Sequence, residues 1–240
     1  MVGHTVKAYD KELDALEKHI EEMGGVAETM VAEAMDALWE GDLTLARQVV
    51  AADLRLDALQ REIEDLAFRI IARRQPMADD LRAIVGAIRV AGDLERVGDL
   101  AKNIAKRSMK IGLEARVPHD LAGLKRMNEM AVALIKDVLD AYAERDVERA
   151  RAVWERDVEL DALDDSAFGA LLTRMIGDPR SISFCAHLLF CAKNIERIGD
   201  HATNIAETVV YLVTGSTPAG ERPKGRPDQR PDVEQANGGE

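Results

Sequence analysis

The chain has 240 residues, of which 47% are hydrophobic, 32% are charged and 4% are aromatic. Its formal net charge of -12 argues against nucleic-acid binding, because neutralising backbone phosphates requires a basic surface. No apolar run approaches the ~18 residues of a membrane-spanning helix, and the N-terminus lacks the apolar core of a signal peptide, so we expect no membrane insertion.

Three long helices are predicted in the first half, because apolar residues recur there every three to four positions. The first helix ends near Trp39–Gly41. The second begins after Asp42, a residue type that caps helix N-termini, and continues to about Arg74. Pro76 ends it, since proline lacks the N–H that a helix needs. The third helix is predicted over residues 78–111.

The second half repeats this plan. Val117-Pro118 opens a fourth helix, and Asp146 is the predicted N-terminal cap of a fifth helix that continues to about Met175. Gly177-Asp178-Pro179 ends the fifth helix, and a sixth is predicted over residues 181–213. No strand pattern competes, so we predict an all-α fold of two homologous three-helix bundles in tandem.

The two predicted units span residues 1–114 and 115–214. Residues 215–240 contain repeated prolines and glycines with almost no apolar residues, so we predict a disordered C-terminal tail. The two cysteines, Cys185 and Cys191, lie six residues apart on one predicted helix. We expect both to be reduced residues of the core.

One segment of the chain occurs twice. Residues 95–105 read ERVGDLAKNIA and residues 196–206 read ERIGDHATNIA, with eight of eleven positions identical. Each copy places a glutamate, an aspartate and an asparagine at four-residue steps, which puts the three on one face of a helix. These residues are Glu95, Asp99, Asn103, Glu196, Asp200 and Asn204.

A second pair of acids precedes each copy on the preceding helix. The pairs are Asp53 with Asp57 and, 104 residues later, Asp157 with Asp161. In an antiparallel helical hairpin, residues equidistant from the turn lie at the same height. This places Asp57 level with Glu95 and Asp53 level with Asp99, and the second half repeats the arrangement. The sequence therefore predicts a patch of four carboxylates in each unit.

Carboxylates that converge in this way require protons, arginine neighbours or a bound cation to offset their repulsion. Oxygen ligands suit Mg²⁺, Ca²⁺, Mn²⁺ or ferric iron, whereas zinc more often recruits His or Cys. Arg96 and Arg197 are alternative partners for these acids, which would then form ordinary solvated helix faces. Gly98 and Gly199, inside the repeated segment, permit a close helix approach or access for a ligand.

The chain offers no pattern typical of an enzyme. We find no ordered Ser, His and Asp, no glycine-rich phosphate loop and no Cys/His nucleophile, so no catalytic residue is predicted. A metal held by carboxylates could still hydrolyse phosphate esters. A metal-dependent phosphohydrolase and a passive metal-binding helical scaffold therefore stay open as alternatives.

The repeated segment resembles the hallmark of the PhoU family of phosphate-signalling proteins, Glu-Arg-[Ile/Val]-Gly-Asp-x-Ala-x-Asn-Ile-Ala. The resemblance extends to Pro76-Met-Ala-Asp-Asp-Leu-Arg82, to Glu12-Leu-x-x-Leu with Met23-Gly24, and to Tyr211-Leu-Val-Thr-Gly215. It covers about residues 5–215 and implies two three-helix bundles related by pseudo-twofold symmetry.

The resemblance also implies metal ions, with Mg or Mn, Fe and Zn as the options. Carried over, the metal ligands are Asp53, Asp57, Glu95, Asp99, Asp157, Asp161, Glu196 and Asp200. Supporting contacts to these ligands are expected from Asn103, Asn204, Arg96 and Arg197.

The function that the resemblance implies is regulation without catalysis. Such proteins are negative regulators of the phosphate-starvation response that link the ATPase of a phosphate ABC transporter to a sensor histidine kinase. The implied location is cytoplasmic, at the inner face of the membrane through these partners, and the implied assembly is a homodimer.

Overall fold

The structure, a computed structural model, describes residues 2–111 and 122–216. Its helices are α1 (Val2–Glu40), α2 (Leu43–Arg74), α3 (Ala78–Ile111), α4 (Ala122–Glu144), α5 (Val147–Gly177) and α6 (Ile182–Thr214). A single 3-10 turn, Pro179–Ser181, precedes α6. The predicted all-α class is confirmed, and the described ranges contain no strand.

Some predicted features lie outside the described residues. The opening of the fourth helix at Val117-Pro118 and the boundary between residues 114 and 115 both fall in the range 112–121. Of the predicted tail, only Gly215 and Ser216 are described.

Two aspartate caps fix where α2 and α5 begin, as the sequence predicts. The Oδ1 atom of Asp42 accepts hydrogen bonds from the backbone N–H groups of Thr44 at 2.8 Å and Leu45 at 3.0 Å. Asp146 Oδ1 accepts from the N–H of Arg149 at 3.0 Å. Each cap satisfies helix donors that otherwise have no partner in the first turn.

The six helices form two three-helix bundles that share one hydrophobic core. Helices α1, α2 and α3 contact one another, as do α4, α5 and α6. The bundles are joined by contacts of α3 with α6 and of α1 with α4. The two copies of the repeated segment lie on α3 and α6, the helices that contact both their own bundle and each other. Each copy is therefore close to its own hairpin and to the boundary between the bundles.

The two cysteines are buried and free, as predicted. Burial raises the pKa of Cys191 to about 12, because a thiolate is poorly solvated in the apolar interior. This thiol is therefore an unreactive packing residue. No helix in the described part of the chain is long and apolar enough to cross a membrane.

An ion pair ties the first part of α1 to the end of α2. Arg74 donates from Nε to Glu12 Oε2 at 2.8 Å and from a terminal nitrogen to Glu12 Oε1 at 3.0 Å. Hydrogen bonding from Arg74 lowers the pKa of Glu12. A carboxyl with a depressed folded-state pKa contributes stability above its unfolded pKa, and that contribution is lost as the pH falls through the folded value.

We predict that Glu12→Gln lowers the unfolding temperature at pH 7, because it removes this charge-assisted pair. The difference from the unsubstituted chain should shrink as the pH falls below the ordinary glutamate pKa, and it should vanish below the lowered pKa that Glu12 has in the folded chain. Thermal unfolding followed by circular dichroism between pH 7 and pH 3 measures both effects. Glu155→Gln, at an exposed position of α5, is the control; a loss of equal size at all pH values would contradict the prediction.

Candidate metal centre

The first carboxylate patch consists of Asp53 and Asp57 on α2 with Glu95 and Asp99 on α3. Lys102 Nζ donates to Asp53 Oδ2 at 2.7 Å and also donates to Asp99 Oδ1. Asp53 and Asp99 therefore face the same point from opposite sides of the hairpin. This is the pairing that equal distance from the turn predicts.

Electrostatic contacts bring the other two acids into the first patch. The pKa of Glu95 is raised, first by burial and then by the negative charges of Asp99 and Asp57, although Arg96 opposes the shift. Arg96 Nε lies 3.4 Å from Glu95 Oε2 and one of its terminal nitrogens lies 3.7 Å from Asp99 Oδ2. The guanidinium is thus the predicted arginine partner, at the exposed edge of the patch.

The second predicted carboxylate patch comprises Asp157 and Asp161 on α5 with Glu196 and Asp200 on α6. In the structure, the charges that act on Glu196 are those of Lys193, Asp200 and Asp164. Lys193 Nζ lies 2.7 Å from Glu196 Oε1. The other oxygen, Glu196 Oε2, is buried and has no hydrogen-bond partner among the described residues. Burial raises the pKa of Glu196 despite the ion pair with Lys193, because the charged form is poorly solvated there.

The glycine of each repeated segment lets the neighbouring helix approach closely. A Cβ atom on Gly98 would lie 2.1 Å from Leu56 Cδ2, a fully buried side chain of α2. At Gly199 a Cβ atom would lie 2.5 Å from Leu160 Cδ2 and 2.6 Å from Asp157 Oδ1. The second glycine thus makes room for a carboxylate as well as for a leucine.

The candidate supporting residues are placed differently in the two copies. Asn103 and Arg197 are exposed. Asn204 Nδ2 instead donates to Asp93 Oδ1 on α3 at 3.2 Å, and His201 Nδ1 lies 2.9 Å from the same oxygen. These polar contacts cross from α6 to α3 and join the two bundles.

Three charged groups of the site, Lys102, Lys193 and Asp93, are not among the residues predicted from the sequence. Lys102 follows Asp99 by three residues, and Lys193 precedes Glu196 by three; that spacing places each lysine beside an acid on one helix and could have identified them. No local pattern indicates Asp93, because its partners His201 and Asn204 belong to the other bundle.

A cavity of about 470 Å³ opens between α3 and α6 beside the first patch, and Glu95 and Arg96 are among its lining residues. Arg89 lies over the ring of Tyr211 at 5.2 Å from its centroid on another side of this cavity. The cavity brings solvent to the edge of the first patch at Glu95.

The two patches do not fit a metal ion equally well. Among the residues that the structure describes, no three His, Cys, Asp or Glu side chains are grouped so as to hold a metal ion, so a bound ion would require the acids to rotate inward. In the second patch, Glu196 Oε2 is a buried oxygen acceptor that has no hydrogen-bond partner among the described residues, and oxygen acceptors are the ligands that hard cations prefer. In the first patch, the Lys102 ammonium already lies between Asp53 and Asp99.

Comparisons with known proteins find similarity to PhoU proteins over nearly the whole chain. The family model for the PhoU domain matches residues 20–108 and 124–209. The phosphate-specific transport system accessory protein PhoU homolog of Rhizobium meliloti (strain 1021) is 54% identical over 223 residues, covering 92% of this chain and 94% of that protein. The PhoU homolog of Caulobacter vibrioides (strain NA1000 / CB15N) is 50% identical over 224 residues, covering 93% of this chain and 97% of that protein.

Two solved structures share the fold. The crystal structure of PhoU from Pseudomonas aeruginosa has a TM-score of 0.83 and 36% identity, covering 87% of this chain and 100% of that one. The crystal structure of the phosphate transport system regulatory protein PhoU from Streptococcus pneumoniae has a TM-score of 0.80 and 26% identity, covering 88% of this chain and 99% of that one.

Alanine substitutions at two glycines of α3 distinguish the energetic cost of overpacking from the gain in helix propensity. Gly98→Ala should destabilise the chain by roughly 1–3 kcal/mol, because the added methyl group overpacks the site against Leu56. Gly92→Ala, on the same helix with no atom within 4 Å of its would-be Cβ, should stabilise by up to about 1 kcal/mol. Urea unfolding of both variants measures the difference in free energy of unfolding. Equal stabilisation by the two alanines would contradict the prediction, because it would show that a methyl group fits at residue 98 without loss of packing against Leu56.

Proposed function

The chain belongs to the PhoU family, and from that premise we propose that it is an accessory protein of phosphate transport that regulates uptake rather than catalysing a reaction. The observation that carries this proposal is the similarity to phosphate-specific transport system accessory proteins, which reaches 54% identity over 92% of the chain. The match includes both repeats, and every carboxylate of the repeated pattern is present.

We propose further that the chain connects two partners, the ATPase of a phosphate ABC transporter and a sensor histidine kinase, and thereby represses the phosphate-starvation response. This assigns it a cytoplasmic position at the inner face of the membrane through those partners, as a homodimer. The relatives are accessory proteins of phosphate-specific transport, which supports the link to transport, and the Streptococcus pneumoniae relative is a regulatory protein of phosphate transport, which supports a regulatory role.

Metal binding is the second part of the proposal. In the second patch, Asp157, Asp161, Glu196 and Asp200 would hold a divalent or ferric ion, with Mg or Mn, Fe or Zn as the options. In the first patch the corresponding ligands are Asp53, Asp57, Glu95 and Asp99. The ion would supply positive charge between α5 and α6, where Asp200 and Asp164 add to the burial that raises the pKa of Glu196.

The adaptor function predicts physical association with both partners. The full chain, immobilised and incubated with the solubilised transporter and the kinase, should retain both, and it should show no turnover of a phosphate monoester in the presence of Mn²⁺. Retention measured by quantitative mass spectrometry against a bare-matrix control tests the association. Phosphatase turnover with neither partner retained would favour the hydrolase alternative instead.

Metal content provides an independent test. Elemental analysis of the purified full chain should find a tightly held cation, and the double substitution Glu196→Ala with Asp200→Ala should lower its stoichiometry, because two oxygen ligands are lost. The matched control is Glu155→Ala with Glu159→Ala, an exposed pair of acids at the same spacing on α5. Equal metal content in all three proteins would assign the repeated acids to packing alone.

A further inference from the structure

One surface of the α3–α6 pair carries positive charge, in a chain whose formal net charge is -12. We propose that this surface docks an acidic segment of a partner protein. We call it the basic face and define it as Lys106, Arg107 and Lys110 of α3 with Phe190 of α6. The inference rests on the proposed adaptor function, because it names the surface through which one of the two partners would be held.

The positive charge is specific to the first repeat. The residues that follow the repeated segment are Lys106-Arg107-Ser108-Met109-Lys110 in the first copy and Glu207-Thr208-Val209-Val210-Tyr211 in the second. Helices α3 and α6 are antiparallel, since Gly86 lies against Leu212 and Arg107 lies beside His187. The two segments therefore lie at opposite ends of the α3–α6 contact, and only one end carries a cluster of cations.

Arg107 is the centre of the basic face. Its guanidinium carbon lies 4.3 Å from the centroid of the Phe190 ring, and one terminal nitrogen lies 3.2 Å from His187 Nδ1. Burial and the charges of Arg107 and Lys110 lower the pKa of His187, so the imidazole is neutral at pH 7 and its Nδ1 accepts the hydrogen bond from the guanidinium. Stacking and this hydrogen bond orient Arg107 before any partner arrives.

The basic face has no counter-charge of its own in the described part of the chain. None of the ion pairs between described residues involves Lys106, Arg107 or Lys110. Other arginines of the chain, such as Arg74 and Arg149, each contact at least one carboxylate. Carboxylates from another molecule would therefore supply the charge that the basic face lacks.

Phe190 gives the basic face an apolar contact beside its charges. This residue is 54% exposed, although its ring packs against the Arg107 guanidinium. Arginine and aromatic side chains are among those that dominate binding energy at protein interfaces, and a guanidinium binds a carboxylate through two parallel hydrogen bonds. The partner that fits both features is a segment in which Asp or Glu side chains flank an apolar one.

The charge of the whole chain favours this occupant over other anions. Nucleic acid presents phosphates over a long surface, and the net charge of -12 would repel those that lie beyond a patch of three cations. Stable binding to an anionic membrane requires a larger set of basic and apolar side chains than this face offers. A short acidic segment would meet only the basic face, and the acidic remainder of the chain would fix its position there.

A defined peptide tests the basic face directly. The probe is a short fluorescein-labelled helical peptide with glutamates on one side and leucines on the other, and the control peptide has lysine at every glutamate position. In fluorescence anisotropy at low salt, the full chain should bind only the acidic peptide. Arg107→Glu with Lys110→Glu should weaken this binding by about tenfold or more, because two attractive charges become repulsive.

Two further variants guard against a change in folding. Lys106→Glu with Lys110→Glu alters exposed positions only, and it should also weaken binding of the acidic peptide by about tenfold. The matched control is Arg61→Glu with Arg69→Glu, which reverses two exposed charges on α2 and should leave the affinity within about twofold of the unsubstituted chain. No binding of the acidic peptide, or an equal loss in the α2 control, would overturn the proposal.

The proposed partners provide a second measurement. Retention of the solubilised transporter or of the kinase by the immobilised full chain should fall with Arg107→Glu plus Lys110→Glu and persist in the α2 control. Unchanged retention of both partners would overturn the basic face as their docking surface and leave the adaptor function intact. Retention of neither partner by the unsubstituted chain would overturn the adaptor function, and binding of the peptide would then decide whether the basic face recognises acidic segments.

The remaining outcomes identify other occupants, and each would overturn the proposal. A lower molecular mass of the chain after charge reversal, measured by light scattering, would assign the basic face to a second copy of the chain. Binding of duplex DNA or of phosphatidylserine vesicles that depends on Arg107 and Lys110, without binding of the peptide, would assign it to nucleic acid or to a membrane. Equal affinity for the acidic and the lysine peptides would show adhesion to leucine without recognition of charge.

Discussion

The structure depends on holding acidic side chains against one another inside helical hairpins. Asp53 and Asp99 come from different helices and approach the same point, where little water is present to screen their charges. Such an arrangement is stable only if positive charge or protons accompany the acids. The lysine contacts and the raised pKa values of Glu95 and Glu196 are two responses to this single constraint.

Helix packing and electrostatics are linked through the glycines of the repeated segments. Because Gly98 and Gly199 have no side chain, α2 and α5 pack close to α3 and α6. That approach seats a leucine against each glycine and, in the second hairpin, also seats the Asp157 carboxylate. In each repeated segment, the glycine therefore sets the separation of the two helices, and that short separation brings the acids of the hairpin close together.

The sequence predicts much of this arrangement because helices have a constant rise. Distances from the turn correctly place Asp53 level with Asp99, and the aspartates before α2 and α5 correctly predict their starts. The contact of Lys102 with both acids depends on the conformation of a long side chain, which spacing does not fix. The contact of Asn204 with Asp93 depends on how α3 packs against α6, which the periodicity of either helix leaves undetermined.

The duplicated segment preserves its acids and its arginine but not its lysine, and a lysine and a metal ion differ in their physical consequences as counter-charges. A lysine is covalently attached, so its neutralising charge is present at a fixed effective concentration whatever the solution contains. A metal ion stabilises by RT ln(1 + [L]/Kd), so its contribution depends on its free concentration relative to its dissociation constant. Lys102 thus compensates the acids between α2 and α3 whatever cations are dissolved, whereas an ion bound under the proposed metal function would make the stability of its hairpin depend on the supply of that ion. Because α3 and α6 pack against each other, a change of stability in one hairpin would be transmitted to the other through this shared contact.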